Sequence, residues 1–251
     1  MSMAPSLRPF FSFFGGKWRS APHYPKPIYD TIIEPFAGSA GYSVRYADRK
    51  VLLIERDPRI GLVWCYLTSV RPSEILALPD IRPGQSVDDL HVNEEARLLI
   101  GWWLNAGNTH PCKSPSSWMW HSKENGGPGW TTGGGALHWG PRVRARLASQ
   151  VERIQHWRVI VGADYTAAPD IKATWFIDPP YANAAGAGYR HHDVNYRQLA
   201  RWCRSRKGQV IVCENEGATW LPFEPFKVVK GTEGKGRSGV SREVIWLGGR
   251  V

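Results

Sequence analysis

The stretch Thr174-Trp175-Phe176-Ile177-Asp178-Pro179-Pro180-Tyr181 decides how this chain folds and where a ligand would sit. Its first half is a short apolar run closed by a turn signal, the pattern of a strand buried in a parallel sheet. An acid, two prolines and an aromatic at the carboxyl end of such a strand make a stiff, concave ledge. Proline fixes φ and donates no hydrogen bond, so backbone carbonyls there stay free to accept from a ligand. A carboxylate and a free carbonyl can grip an amino group, and the Tyr181 ring can lie flat on a planar base. The combination suits a flipped nucleobase bearing an exocyclic amine.

Upstream, Ile32-Ile33-Glu34 reads as a strand leading into the small-residue turn Pro35-Phe36-Ala37-Gly38-Ser39-Ala40-Gly41 and then a helix. Val51-Leu52-Leu53-Ile54 is a second buried strand, ending in Glu55-Arg56-Asp57. Asp57 before Pro58 is an N-cap followed by proline at the first helical position, which opens a helix to about Ser69. Downstream, the pattern predicts a strand at Arg158–Val161, a basic helix at Tyr196–Arg206, and strands at Val210–Cys213, Phe226–Lys230 and Glu243–Leu247. A flexible loop is expected at Gly231–Gly239. Strands alternating with helices predict an α/β fold: a doubly wound, mostly parallel seven-stranded sheet with ligands at the carboxyl ends of its strands.

Between residues 71 and 156 this rhythm breaks. Residues 91–104 carry an apolar stripe through Leu98, Leu99, Trp102 and Trp103, and Arg142 to Trp157 returns to helical spacing, with Val143, Leu147, Val151 and Ile154 on one face. Residues 105–140 show no period and are rich in glycine and tryptophan. A loop this long inside a compact domain is usually functional or disordered.

The bulk properties narrow the function. The net charge of +10 makes a polyanion, nucleic acid first, the expected partner, with general solubility as the bland alternative. No apolar run reaches eighteen residues, so no membrane partner is expected, and the amino terminus does not read as a secretory signal. The four cysteines are scattered without metal-ligand spacing, and His110 with Cys112 is too few for a zinc site. The expectation is a cytoplasmic protein with free thiols and no metal.

Several other residues carry ligand chemistry, each with an ordinary structural alternative. The Phe36–Gly41 turn lets a ligand approach the backbone, or simply packs tightly on the sheet. Glu55 can accept from ribose hydroxyls, or is a solvated strand-end charge. Asp164, after the third strand, can bond an adenine amine, or closes an Asx turn. Gly15-Gly16-Lys17 is too short for a phosphate loop. In the insertion, Lys113, Trp118, Trp120, His121, Lys123, Trp130, His138 and Trp139, then Arg142, Arg144 and Arg146, interleave cations and aromatics, as suits phosphate contact and base stacking. The alternative is a tryptophan-rich minor core with a basic face.

Taken in order, Phe13–Lys17, Phe36–Gly41, Glu55, Asp164 and Asp178–Tyr181 resemble the adenine-N6 DNA methyltransferases of the group that includes the bacterial Dam enzymes, in the α-group order of motifs. The resemblance covers about 1–70 and 157–250. Gly15, Gly16 and Lys17 match the family's amino-terminal motif. Phe36 and Gly38 match its Phe-x-Gly-x-Gly turn, but Ala40 stands at the second glycine. The resemblance implies a class I methyltransferase domain, 1–70 and 157–251, and an inserted target-recognition region, 71–156. It implies S-adenosyl-L-methionine as cofactor: Phe13, Gly16 and Lys17 at its methionine end, Phe36, Ala37 and Gly38 along it, Glu55 at the ribose, Asp164 at the adenine amine, and Asp178 at the cofactor's reacting end. Asp178, Pro179, Pro180 and Tyr181 would be catalytic, and Lys113, Trp120, Lys123, Arg142 and Arg144 would hold double-stranded DNA. Adenine N6 is a poor nucleophile, because its lone pair is delocalised. Hydrogen bonds to the Asp178 carboxylate and Pro179 carbonyl would aim that lone pair at the sulfonium methyl while Tyr181 stacks on the base. RNA as the substrate, methylation of a protein glutamine, and an inactive DNA-binding relic are the competing readings. The compact size fits a phage-encoded enzyme, and oligomeric state is open between monomer and weak dimer.

Overall fold

A computed structural model describes residues 7–82, 84–105, 107–115, 138–183, 186–233 and 237–249. Seven strands, β1 Thr31–Glu34, β2 Lys50–Glu55, β3 Arg158–Val161, β4 Lys172–Ile177, β5 Lys207–Asn215, β6 Glu224–Glu233 and β7 Arg237–Gly248, form one sheet in the order β3-β2-β1-β4-β5-β7-β6. Strands β3, β2, β1, β4 and β5 pair in parallel, whereas β7 pairs antiparallel with both β5 and β6, so the sheet is mixed. The helices are α1 Pro58–Leu67, α2 Pro72–Ala77, α3 Glu94–Trp102, α4 Pro141–Gln150 and α5 Tyr196–Ser205.

The strands alternate their side chains between two cores. Ile32, Leu53, Phe176 and Ile211 enter one, and Ile33, Ile54, Trp175, Ile177 and Val210 the other. This is the period-2 pattern of a sheet covered on both faces. Helix α5 covers the second face with Leu199, Ala200 and Cys203. The first face is covered by α1 through Ile60, Val63, Trp64 and Leu67, and α2, α3 and α4 extend the same apolar cluster. The stretch 71–156 therefore shares the main core: Ile75, Leu99, Trp102, Trp139, Val143 and Leu147 pack in the same cluster as Leu53 and Phe176.

Two local expectations are corrected. Among the described residues no α-helix follows β1, only a 3-10 turn at Ser43–Tyr46. Gly38 and Ala40 take positive φ values of 46° and 47°, which break helical geometry, and the Tyr42 ring is stacked on Phe176 at 4.3 Å. The loop expected at Gly231–Gly239 is largely a hairpin arm, with Gly231 opposite Gly239 and Glu233 opposite Arg237 in the β6–β7 ladder. Backbone pairing there needs no apolar side chains, which is why the polar, glycine-rich sequence concealed it. The α1 cap is as expected: Asp57 accepts from the Arg59 amide at 3.0 Å.

Candidate active site

The strand order reverses between β1, which continues to β2, and β4, which continues to β5. Loops leaving the carboxyl ends of β1 and β4 diverge at such a switch point and open a crevice. Here the crevice is a cavity with about 1260 Å³ of empty space, part of it open to solvent. Phe13, Gly16, Lys17, Phe36, Ala37, Gly38, Glu55, Asp164, Asp178 and Pro180 all line it. Residues spread over more than 160 positions of sequence thus meet in one cleft. Pro179 is buried and Tyr181 half-buried, neither lining the cavity.

The amino-terminal segment and the β1 turn interlock because both are bare of side chains. A Cβ at Gly41 would lie 2.4 Å from the Trp18 nitrogen, and one at Gly38 would lie 3.1 Å from the Phe13 ring. Gly38 is further fixed by the Trp64 indole, which donates to its carbonyl at 2.8 Å. Ala40, at the position where the resembled motif carries glycine, sits fully buried in the left-handed region. Phe36 stacks on Tyr165 at 5.7 Å.

Glu55 is a buried bracket rather than a solvated charge. Its Oε2 accepts from the Gly38 amide at 2.8 Å and its Oε1 from the Asp57 amide at 2.9 Å. Burial pushes its carboxyl up to about 7 against those hydrogen bonds. Each oxygen still has a second lone pair for a ligand hydroxyl. Asp164 closes an Asx turn on Thr166, accepting from its amide at 2.8 Å and from its hydroxyl at 2.5 Å, and also lines the cavity. The Asx-turn reading is borne out. Both bonds fall on Oδ1.

At the ledge, the Lys17 ammonium is buried 2.9 Å from Asp178 Oδ1 and 3.8 Å from Glu243 Oε1, donates to the Gly15 carbonyl at 3.1 Å, and lies 5.0 Å from the Tyr181 ring centroid. Burial opposes its charge, but Asp178, Tyr181 and Glu243 together hold its pKa well above the ordinary lysine value. Burial raises Asp178 to about 6, with Lys17 pulling the other way. The loop after the ledge is pinned from two sides. The Tyr196 hydroxyl donates to the Pro180 carbonyl at 2.6 Å, and the Ala182 amide donates to Glu214, which also accepts from the Trp220 indole at 2.8 Å. Among the described residues no backbone amide donates to the Pro179 carbonyl. Over the mouth, the Tyr189 hydroxyl donates to the Phe14 carbonyl at 3.1 Å.

Sequence reading passed over Glu34, Glu214 and Glu243. Each is an acid set against a strongly apolar strand, and each is buried. An acid in that setting is costly unless it has work to do, and this was the available signal. Burial raises Glu34 to about 8, although its Oε1 accepts from the Ser43 amide at 2.7 Å.

The basic residues of the insertion are placed less uniformly. Lys113 is exposed and paired with Asp88 at 2.7 Å, and Arg142 is exposed on α4. Arg144 is drawn into the fold: it pairs with Asp80, and its side chain is only 12% exposed. Trp139 is buried, and its indole donates to the Pro79 carbonyl at 2.8 Å. Trp118, Trp120, His121, Lys123 and Trp130 lie outside the described residues. Among the described residues there is no group of three or more His, Cys, Asp or Glu that could hold a metal, and no helix is long and apolar enough to cross a membrane.

Comparison with known proteins finds no matching family model and no matching curated protein.

Proposed function

We propose that the chain is a class I methyltransferase that transfers a methyl group from S-adenosylmethionine to N6 of adenine in double-stranded DNA, with the target base flipped into the cleft. The observation that carries this reading is the convergence of Phe13–Lys17, Phe36–Gly41, Glu55, Asp164, Asp178 and Pro180 on one cavity at the switch point of the sheet. The residues fit the cofactor. Gly38 and Gly41 are among the residues that line the cleft, and buried Glu55 keeps acceptor capacity beside it. When bound, S-adenosylmethionine supplies an electrophilic methyl group.

The chain supplies position and charge. Asp178 titrates near 6, so its carboxylate is ionised at neutral pH and accepts a hydrogen bond from the adenine amine. The Pro179 carbonyl is a second acceptor, held by a backbone that two prolines and the Tyr196 and Glu214 bonds keep rigid. The net charge of +10 favours a polyanionic substrate. Mass spectrometry of bases recovered after incubation with S-adenosylmethionine and either duplex DNA or RNA tests the proposal. N6-methyladenine in DNA is the expected product. Methyl groups on RNA alone would reassign the substrate, and no cofactor binding by calorimetry would reduce the protein to a relic of the fold.

A further inference from the structure

The buried charges at the ledge do not balance in pairs. One ammonium, Lys17, stands between two carboxylates, Asp178 on the loop after β4 and Glu243 on β7. Glu243 lies opposite Asn215 at the carboxyl end of β5, because β7 runs antiparallel to the rest of the sheet. The reversed hairpin thus delivers an acid to the ligand end of the sheet, just before the apolar run Val244–Leu247. Its two oxygens have separate tasks. Oε2 accepts from the buried Tyr24 hydroxyl at 3.0 Å, which fixes the carboxylate plane. Oε1 then faces Lys17 at 3.8 Å and accepts from the Tyr181 hydroxyl at 3.5 Å. Tyr24 is itself locked, stacked on Phe226 at 4.4 Å.

We propose that Glu243 is a positioning residue that shares the Lys17 ammonium and holds the Tyr181 hydroxyl, so that the Asp178 carboxylate stays available to the substrate amine. This rests on the methyl-transfer reading for its consequence, but not for its geometry. Without the Glu243 charge, Lys17 is left to Asp178 alone. The carboxylate is then neutralised by a lysine instead of reading an amine, and Tyr181 loses the partner that sets its ring. The groups facing Asp178 from the surrounding elements are Lys17, Glu34, Cys213, Glu214 and Glu243, with the phenols of Tyr24, Tyr181 and Tyr189. Glu243 is one of those that raise its pKa.

Two measurements decide the matter. In carbon-13-labelled protein, the Asp178 carboxyl is titrated by NMR in the wild type and in Glu243→Gln, which keeps the shape and an acceptor oxygen. The expected result is a lower midpoint in Glu243→Gln than in the wild type. An unmoved midpoint overturns the proposal whether or not the protein is an enzyme. In methyl transfer to duplex DNA, kcat of Glu243→Gln should fall by about tenfold to a hundredfold. KM for DNA and calorimetric affinity for S-adenosylmethionine should hold, and the acid limb of the pH profile should move down with the Asp178 midpoint. Glu243→Asp should recover part of kcat. A wild type that transfers no methyl group sinks the proposed function and leaves the titration to judge Glu243. An active wild type matched in kcat by Glu243→Gln sinks the positioning role alone. If Glu243→Gln does not fold, Tyr24→Phe releases the Oε2 anchor and should move the same quantities the same way by less; no movement there also overturns it.

Discussion

The cleft and the segment 71–156 use the same residue types in opposite ways. At the cleft, Asp178 and Glu243 share a single buried ammonium, Lys17, and Glu34, Glu55 and Glu214 are buried acids of the same strand ends. Glu34, Glu55, Asp178 and Glu214 all titrate above the ordinary carboxylate range, with burial as the leading cause. Among the described residues of 71–156, charges stand in separate pairs, Lys113 with Asp88 and Arg144 with Asp80, open to solvent as Arg142, or against an aromatic ring as Arg146 on Trp103. Isolated pairs near the surface contribute little to stability and nothing to chemistry. An excess of buried acid costs stability, and a fold that carries one is holding it for use. The contrast teaches that charge alone does not separate the two regions; burial and unequal pairing do.

The strongest way to break the contrast is at Asp178. Asp178→Ala would remove the carboxylate and also the nearer of the two acids that hold buried Lys17, a loss of stability that would confuse loss of chemistry with loss of fold. Asp178→Asn keeps the shape. It should lower methyl transfer by about a thousandfold or more while calorimetry still detects S-adenosylmethionine. Turnover retained in a radiolabelled methyl assay would remove Asp178 from the mechanism. A smaller effect is expected where backbone meets backbone. Gly41→Ala places a methyl group 2.4 Å from the Trp18 nitrogen, so the segment carrying Lys17 must shift. Cofactor affinity and kcat should each fall, together by about a hundredfold, as displacement of about 1 Å at a reacting centre does. Unchanged kinetics would mean that the interlock of the two turns has no bearing on the site.

Glu34 tests the energetic half of the contrast. Its carboxyl is raised from an ordinary value of 4.5 to about 8 by burial. Between those values the folded protein holds a proton that the unfolded chain has released. The stabilisation is therefore complete below about pH 4.5 and is lost as pH rises through about 8. Stability measured by denaturant titration should fall across this window by up to about 1.4 kcal/mol per pH unit from this one group. Glu34→Gln keeps the acceptor for the Ser43 amide and has no proton to lose, so its profile should be flatter. A variant with the wild-type slope would show that Glu34 is not held protonated.

Much of the fold could be read from local pattern. Trp175-Phe176-Ile177 announces a buried strand by composition, and Asp57-Pro58 announces a helix by capping chemistry. The hidden parts depend on contacts distant in sequence. Gly231–Gly239 gains its strand character from ladder bonds between the two arms of a hairpin. The turn after β1 is kept from becoming a helix by Phe176 under Tyr42 and by positive φ at Gly38 and Ala40. In the site, Asp178, Glu55 and Lys17 were legible because they sit at strand ends or in short motifs. Glu243 was not, because its relevance comes from an antiparallel strand that brings it within 3.8 Å of a lysine 226 positions earlier.

The mildest effects are expected in the segment 71–156, where two arginines only two positions apart on α4 should behave differently. Arg144 is paired with Asp80 and lies 6.0 Å from the Trp139 ring, so Arg144→Ala should lower the melting temperature by a few degrees through lost packing. Arg142 is exposed and should leave the melting temperature unchanged. If Arg142 meets a DNA phosphate, Arg142→Ala should reduce the slope of log affinity against log salt by about 0.9, the yield of one released counterion. Arg144→Ala should leave that slope near the wild-type value, since its charge is already satisfied within the protein. The reverse outcome, a flattened slope for Arg144→Ala and none for Arg142→Ala, would mean that the Asp80 pair opens on DNA. The segment's ion pairs would then be held in reserve for phosphate, and its difference from the cleft would be one of partner rather than of kind.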